Sequence, residues 1–391
     1  MTKIGTIFWK CNLLSLACLL WAGVAFCQVR EFPVLDGNSL WCTRSGEEYI
    51  DRLLEDIASA QKSIEIEYYW FAADNTGTRV RDALMAKARE GVAVRVVMDN
   101  LISPLAPVSF YDKLRAAGAT VLFVHDFKKM NPWDAITSFL RERDHRKIVV
   151  IDCEIAYTGG INFYDNAVYK WEDAQIRLQG PIAAQLRSQF MEAWELAGGE
   201  NLEPSAEIAP CGTVSARVVG KQKEPPLDGV FVEAIEAANE YFYLQTPYFA
   251  PPESIVQALK DCAARGVDVR LLIPLKSDWE FMNELTRDYL PELSEAGVHI
   301  LVKDSKYDHG KVFISDDRIA SCGTINMDYR SLVTNWENTV LFYDTESVLL
   351  FKNTFLELSS SATEQHGADF VLHRGPRKLW RRFLRKNVSQ F

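Results

Sequence analysis

Apolar and polar positions along this chain repeat as a unit. Residues 83–97 and 258–272 align without a gap: each reads as an amphipathic helix, a glycine (Gly91 or Gly266) and a short run rich in Val and Leu. Upstream, residues 57–69 and 235–245 each pass from a helix end into an alternating strand. Downstream, residues 114–124 match 293–302, again helix, glycine, strand. A self-similar pattern that recurs in the same order is a duplication. Both copies predict the order strand, helix, strand, helix, strand. The expected fold is therefore α/β: two similar α/β/α half-domains with mixed, largely parallel sheets, related by a pseudo-two-fold axis, with any shared site at their interface.

Composition adds bounds to this picture. The chain has 391 residues, 48% of them hydrophobic and 25% charged, which suits two packed half-domains without a long disordered tract. Prolines and glycines cluster over residues 203–226 and place the division between halves there. The expected organisation is residues 1–27 as a leader, 28–205 and 206–372 as the half-domains, and 373–391 as a tail. Lys3 and Lys10 precede an apolar run over residues 12–27, the pattern of a secretory signal peptide or a short membrane anchor. With the positive residues on the cytoplasmic side, the rest of the chain is expected to be translocated and to face the outer side of the membrane. The tail carries seven Lys and Arg residues around Leu379, Trp380, Phe383 and Leu384, an amphipathic basic helix suited to an anionic membrane surface. The formal net charge of −10 argues against nucleic acid as a partner. The cysteines show no metal-ligand spacing.

The duplicated frame carries polar residues in register. His145-Arg146-Lys147-Ile148-Val149-Val150-Ile151-Asp152 and His309-Gly310-Lys311-Val312-Phe313-Ile314-Ser315-Asp316 both read H-x-K-x4-D. Asn162 follows His145 at the distance at which Asn326 follows His309, and Asp173 and Glu337 stand at a second matched distance, each beside a tryptophan. Polar residues held in register across diverged halves mark a site. On a strand, His and Lys two apart share a face, whereas the motif Asp lies an odd number of steps on and points away. The candidate catalytic set is the two complete motifs, His145, Lys147, Asp152, His309, Lys311 and Asp316, with Asp152 and Asp316 read as supports of the loop or strand. Trp70, Tyr248 and Phe249 read as core. Residues 130–140, an apolar insertion before the first motif, have no counterpart in the second half.

These motifs, with Gly159-Gly160-Ile161-Asn162, Gly323-Thr324-Ile325-Asn326-Met327-Asp328-Tyr329-Arg330-Ser331 and Asn335-Trp336-Glu337, resemble the phospholipase D superfamily, and within it bacterial cardiolipin synthases. The resemblance spans about residues 35–360. It implies that one histidine attacks phosphorus, forming phosphohistidine, while the other protonates the leaving alcohol and then deprotonates the incoming one. An imidazole, with a pKa near ~6.5, suits both tasks. It further implies phosphate binding by Lys147, Lys311, Asn162 and Asn326, orientation of the histidines by Asp173 and Glu337, and no metal or cofactor. The expected reaction moves a phosphatidyl group from an anionic phospholipid, phosphatidylglycerol, to a second one, and one chain suffices to build the site. The alternatives are a phospholipase D-type hydrolase and, less in keeping with the charge, a nuclease.

Overall fold

A computed structural model describes residues 32–100, 106–124, 142–221, 226–366, 369 and 385. The leader, residues 130–140 and, apart from Arg385, the tail lie outside the described residues. Each expected unit is present: Ser63–Tyr68, Asn75–Arg89, Ala93–Asp99, Val108–Ala116 and Thr120–Val124 in the first half, and Tyr241–Gln245, Glu253–Ala264, Asp268–Pro274, Glu280–Glu295 and His299–Lys303 in the second. Gly91 and Gly266 end their helices with φ of 90° and 85°, a left-handed conformation that glycine adopts without a Cβ clash.

The strands form one 15-stranded sheet that runs through both halves. Outward from the seam, the first half contributes Leu35–Thr43, Gln175–Gln179, Ile155–Gly159, Lys147–Ile151, Ser63–Tyr68, Ala93–Asp99 and Thr120–Val124. The second half repeats the order with Val214–Lys221, Glu337–Phe342, Ile319–Gly323, Val312–Ser315, Tyr241–Gln245, Asp268–Pro274 and His299–Lys303, and adds Thr363–Gln365 at its edge. The sheet is mixed. Parallel pairing is confined to the outer three strands of each repeat, and the inner strands pair antiparallel. At the seam Leu35–Thr43 runs antiparallel to Val214–Lys221, with Leu35 opposite Ala216. One apolar cluster contains Ile148, Val150, Ile176 and Leu178 together with Val312, Ile314, Ala320 and Val340, so the halves share a core.

Asp152 and Asp316 explain why the motif strand sits where it does. Each occupies the left-handed region, at φ 52°, in the hairpin turn that follows the motif strand. The Asp152 carboxylate accepts the backbone N–H groups of Gln61, Lys62 and Ser63 at 2.7–2.9 Å, and Asp316 accepts those of Asn239, Glu240 and Tyr241 at 2.8–3.0 Å. Each acid thereby fastens the motif hairpin to the start of the neighbouring strand, with which the motif strand pairs antiparallel. The acid stands at the far end of a five-residue strand from Lys147, roughly 17 Å along it. Asp152 and Asp316 thus hold backbone, and neither is among the residues that line the cavity between the histidines. Burial pushes the Asp316 carboxyl up, but its three N–H donors outweigh that and hold it below the ordinary range. We expect Asp152→Asn and Asp316→Asn each to lower unfolding free energy by about 1–3 kcal/mol at pH 7, measured by chemical denaturation, because a carboxylate with several N–H donors becomes an amide with one acceptor oxygen. For Asp316 the deficit should shrink as pH falls below about 4. A depressed folded pKa contributes stability only above the unfolded value and loses it as the wild-type carboxyl protonates.

Candidate active site

The segment that ends in each histidine is stitched to the other half. His145 N donates to Trp336 O at 3.0 Å and Trp336 N to Arg143 O at 2.8 Å, while His309 N donates to Glu172 O at 2.7 Å beside a parallel pairing of Tyr307–Asp308 with Trp171–Glu172. This backbone exchange brings each acid to the opposite histidine. Glu337 reaches His145 Nδ1 at 2.9 and 3.0 Å, and Asp173 reaches His309 Nδ1 at 2.6 Å. With Nδ1 engaged on both rings, Nε2 is the nitrogen left for a substrate.

The two acids are accommodated differently. A Cβ on Gly160 would lie 2.2–2.5 Å from the Asp173 carboxylate, so only glycine fits there. At the matching position Thr324 donates its hydroxyl to Glu337 and accepts from Asn338 N at 3.0 Å. Lys147 and Lys311 stand behind their histidines, buried, with Nζ 2.8 Å from His145 O and 2.8 Å from His309 Nδ1. Their ammonium groups reach the site as buried charges; the cavity wall is formed by other residues. Asn162 and Asn326 are buried and line the cavity, each with Oδ1 lacking a hydrogen-bond partner.

Burial dominates the electrostatics. It pushes His145 and His309 below the ordinary imidazole value, with Lys147 and Lys311 adding to the fall and Glu337 and Asp173 opposing it. It brings Lys147 down to about 7 and lowers Lys311 as well. For Asp173 and Glu337 burial acts upward, but the facing Lys and His charges outweigh it and hold both carboxyls below their usual range. The acids are thus charged at neutral pH, while Lys147 has both protonation states within reach.

Both histidines open onto a cavity of about 650 Å³. Trp70 and Tyr248, read from sequence as core, belong to its wall; Phe249 is fully buried core. Trp70 and Tyr248 follow the strands Ser63–Tyr68 and Tyr241–Gln245 at their carboxyl ends, where open α/β sheets hold ligands, and that position was the available signal. Tyr69, Tyr164, Trp171, Arg143 and Arg330 also line the cavity and were not singled out. Trp171 precedes the acid pair Glu172-Asp173, so proximity to a motif acid could have marked it. Among the described residues no cluster of three or more His, Cys, Asp or Glu has the geometry to hold a metal ion.

Comparison with known proteins agrees with this arrangement. Residues 53–194 and 231–359 match the family described as cardiolipin synthase, PLD-like domain. The chain is 33% identical over 336 residues to the major cardiolipin synthase ClsA of Bacillus subtilis and 34% identical over 336 residues to a cardiolipin synthase of Oceanobacillus iheyensis; in both cases the match covers 82% of this chain and 69% of the relative. In fold it is similar to phosphatidylserine synthase of Haemophilus influenzae, with a TM-score of 0.69 at 15% identity over 90% of this chain and 94% of that one. It also resembles polyphosphate kinase of Porphyromonas gingivalis, with a TM-score of 0.56 at 13% identity over 90% and 53% of the two chains. Two motif histidines meet across a duplicated fold, and the chain belongs to the cardiolipin synthase family of phospholipase D-like phosphatidyltransferases.

Proposed function

We propose that this enzyme makes cardiolipin from two molecules of phosphatidylglycerol through a phosphohistidine intermediate. The observation that carries the reading is the pair of histidines on one cavity, each backed by a buried carboxylate from the opposite half. In the first step Nε2 of one histidine attacks phosphorus, the bond from phosphorus to the glycerol oxygen breaks, and the other imidazolium gives that oxygen its proton. In the second step the now neutral imidazole takes the proton of the incoming glycerol hydroxyl, whose oxygen attacks phosphorus as the P–N bond breaks. Lys147, Lys311, Asn162 and Asn326 offset the charge that develops on the non-bridging oxygens. Asp173 and Glu337 hold the tautomer with Nδ1–H and favour the imidazolium.

A cavity of about 650 Å³ has the size of a small-molecule site, enough for headgroups and not for four acyl chains. The chains then stay in the bilayer, with Trp279, half-exposed at the cavity, suited to its interface. The leader and the basic tail would keep the enzyme at the outer face of the inner membrane, and we place the division between the halves at residues 205–206.

Purified enzyme supplied with phosphatidylglycerol should yield cardiolipin and free glycerol on product separation. Phosphatidic acid as the sole lipid product would make it a hydrolase. We expect His145→Ala and His309→Ala each to reduce turnover by at least about a hundredfold while the far-UV circular dichroism spectrum of the folded chain is retained. The pH profile of kcat/KM should be bell-shaped. In Glu337→Gln its alkaline limb should move to lower pH, because the lost carboxylate no longer favours the charged forms of His145 and Lys147. An alkaline limb that stays in place would contradict the orienting role of Glu337.

A further inference from the structure

The duplication is kept at the two histidines and broken around them. In the motif register the positions of Tyr164, Trp171 and Tyr307 correspond to those of Asp328, Asn335 and Arg143, and Asn166 corresponds to Arg330. The consequence is two unlike flanks. His309 is surrounded by rings, with Trp171 at 5.1 Å, Tyr307 at 5.5 Å and Tyr248 at 6.2 Å between centroids. Among the described residues His145 has one aromatic neighbour in ring contact, Tyr69 at 4.9 Å, which itself interacts with the charges of Arg143 and Arg330.

The polar flank is built. Residues Arg330–Thr334 form a single π-helical turn, closed by Asn335 N donating to Arg330 O at 2.7 Å, and Ser331 N donates to the Asp328 carboxylate at 2.9 Å. The wide turn brings Arg330, Ser331 and Asn335 to the cavity wall together. Ser331 is 1% exposed and Asn335 8%, yet Ser331 Oγ, Asn335 Oδ1 and the buried Arg330 Nη2 have no hydrogen-bond partner among the described residues. Buried polar atoms left unsatisfied cost free energy unless a ligand completes them. The positive charges of Arg143 and Arg330 repel one another; Asp99 and Asp328 face them and offset part of this.

We infer that Arg143 and Arg330, with Ser331 and Asn335, form a second anion subsite beside His145 that binds the phosphodiester already carried by the acceptor alcohol. This rests on the transfer reaction proposed above. The donor brings one phosphate, which sits between the histidines. A second phosphate, one glycerol away, enters only with a phosphatidylglycerol acceptor. A planar guanidinium recognises a phosphodiester through paired N–H donors. The subsite therefore selects a phosphate-bearing alcohol over a neutral alcohol and over water.

The test compares two soluble acceptors, glycerophosphoglycerol and glycerol, with phosphatidylglycerol in mixed micelles as donor and the full chain as enzyme. Wild type should prefer glycerophosphoglycerol by kcat/KM. In Arg330→Gln this preference should fall by about tenfold to a hundredfold, the loss of a charge-assisted contact, with partial recovery in Arg330→Lys. The ratio is internal to each variant, so a poorly folded preparation does not change it. An unchanged ratio, whether both rates hold or both fall, overturns the subsite. If wild type forms only phosphatidic acid with either alcohol, the transfer reading fails separately. The subsite is then read from inhibition of that hydrolysis by glycerophosphoglycerol, which Arg330→Gln should relieve and which would overturn it if unrelieved.

Discussion

The exchange of carboxylates between halves is the constraint on which the rest of this structure depends. Four cationic or titratable groups, His145, Lys147, His309 and Lys311, are packed into one buried region. Burying an ion without a partner costs several kcal/mol, and removing one member of a buried pair leaves that cost uncompensated. Asp173 and Glu337 supply the compensation, and each does so for the histidine of the other repeat. The site therefore exists only while the halves are docked in a fixed register. The continuous sheet, the antiparallel seam and the shared core of Ile148, Val150, Val312 and Ile314 maintain that register.

The fold was legible where local chemistry and the global arrangement agree. Helix, glycine stop and buried strand could be read twice because glycine at positive φ leaves a mark in sequence and an amphipathic helix leaves a period. The antiparallel inner strands were harder. Lys147–Ile151 and Val312–Ser315 are buried on both faces, so no alternation survives, and the pairing of Leu35–Thr43 with Val214–Lys221 joins segments far apart in the chain. The candidate site residues were legible through register alone. Which acid meets which histidine was not, because it follows from the docking of the halves. The aromatic wall was missed for a related reason: Trp70 and Tyr248 have the composition of core residues, and only the end of the strand on which they sit turns them toward a cavity.

Duplication explains why the centre is symmetric, and its loss explains the walls. The proposed transfer asks two tasks of two imidazoles, attack and proton transfer, so matched halves suit it. In that reading the ligands on either side of the phosphorus are not alike. Around His309 the chain kept rings, and around His145 it placed Arg143, Arg330 and Asn335. A two-fold frame carries in this way two unlike flanks.

If two repeats make one catalytic centre with one covalent intermediate, intact-mass analysis of enzyme quenched during turnover of a phosphatidylglycerol of defined acyl composition will show it. A single added phosphatidyl group per chain is expected, located by fragmentation at one of His145 and His309 and absent from the corresponding alanine variant. Two groups per chain, or a group on any other residue, would contradict it.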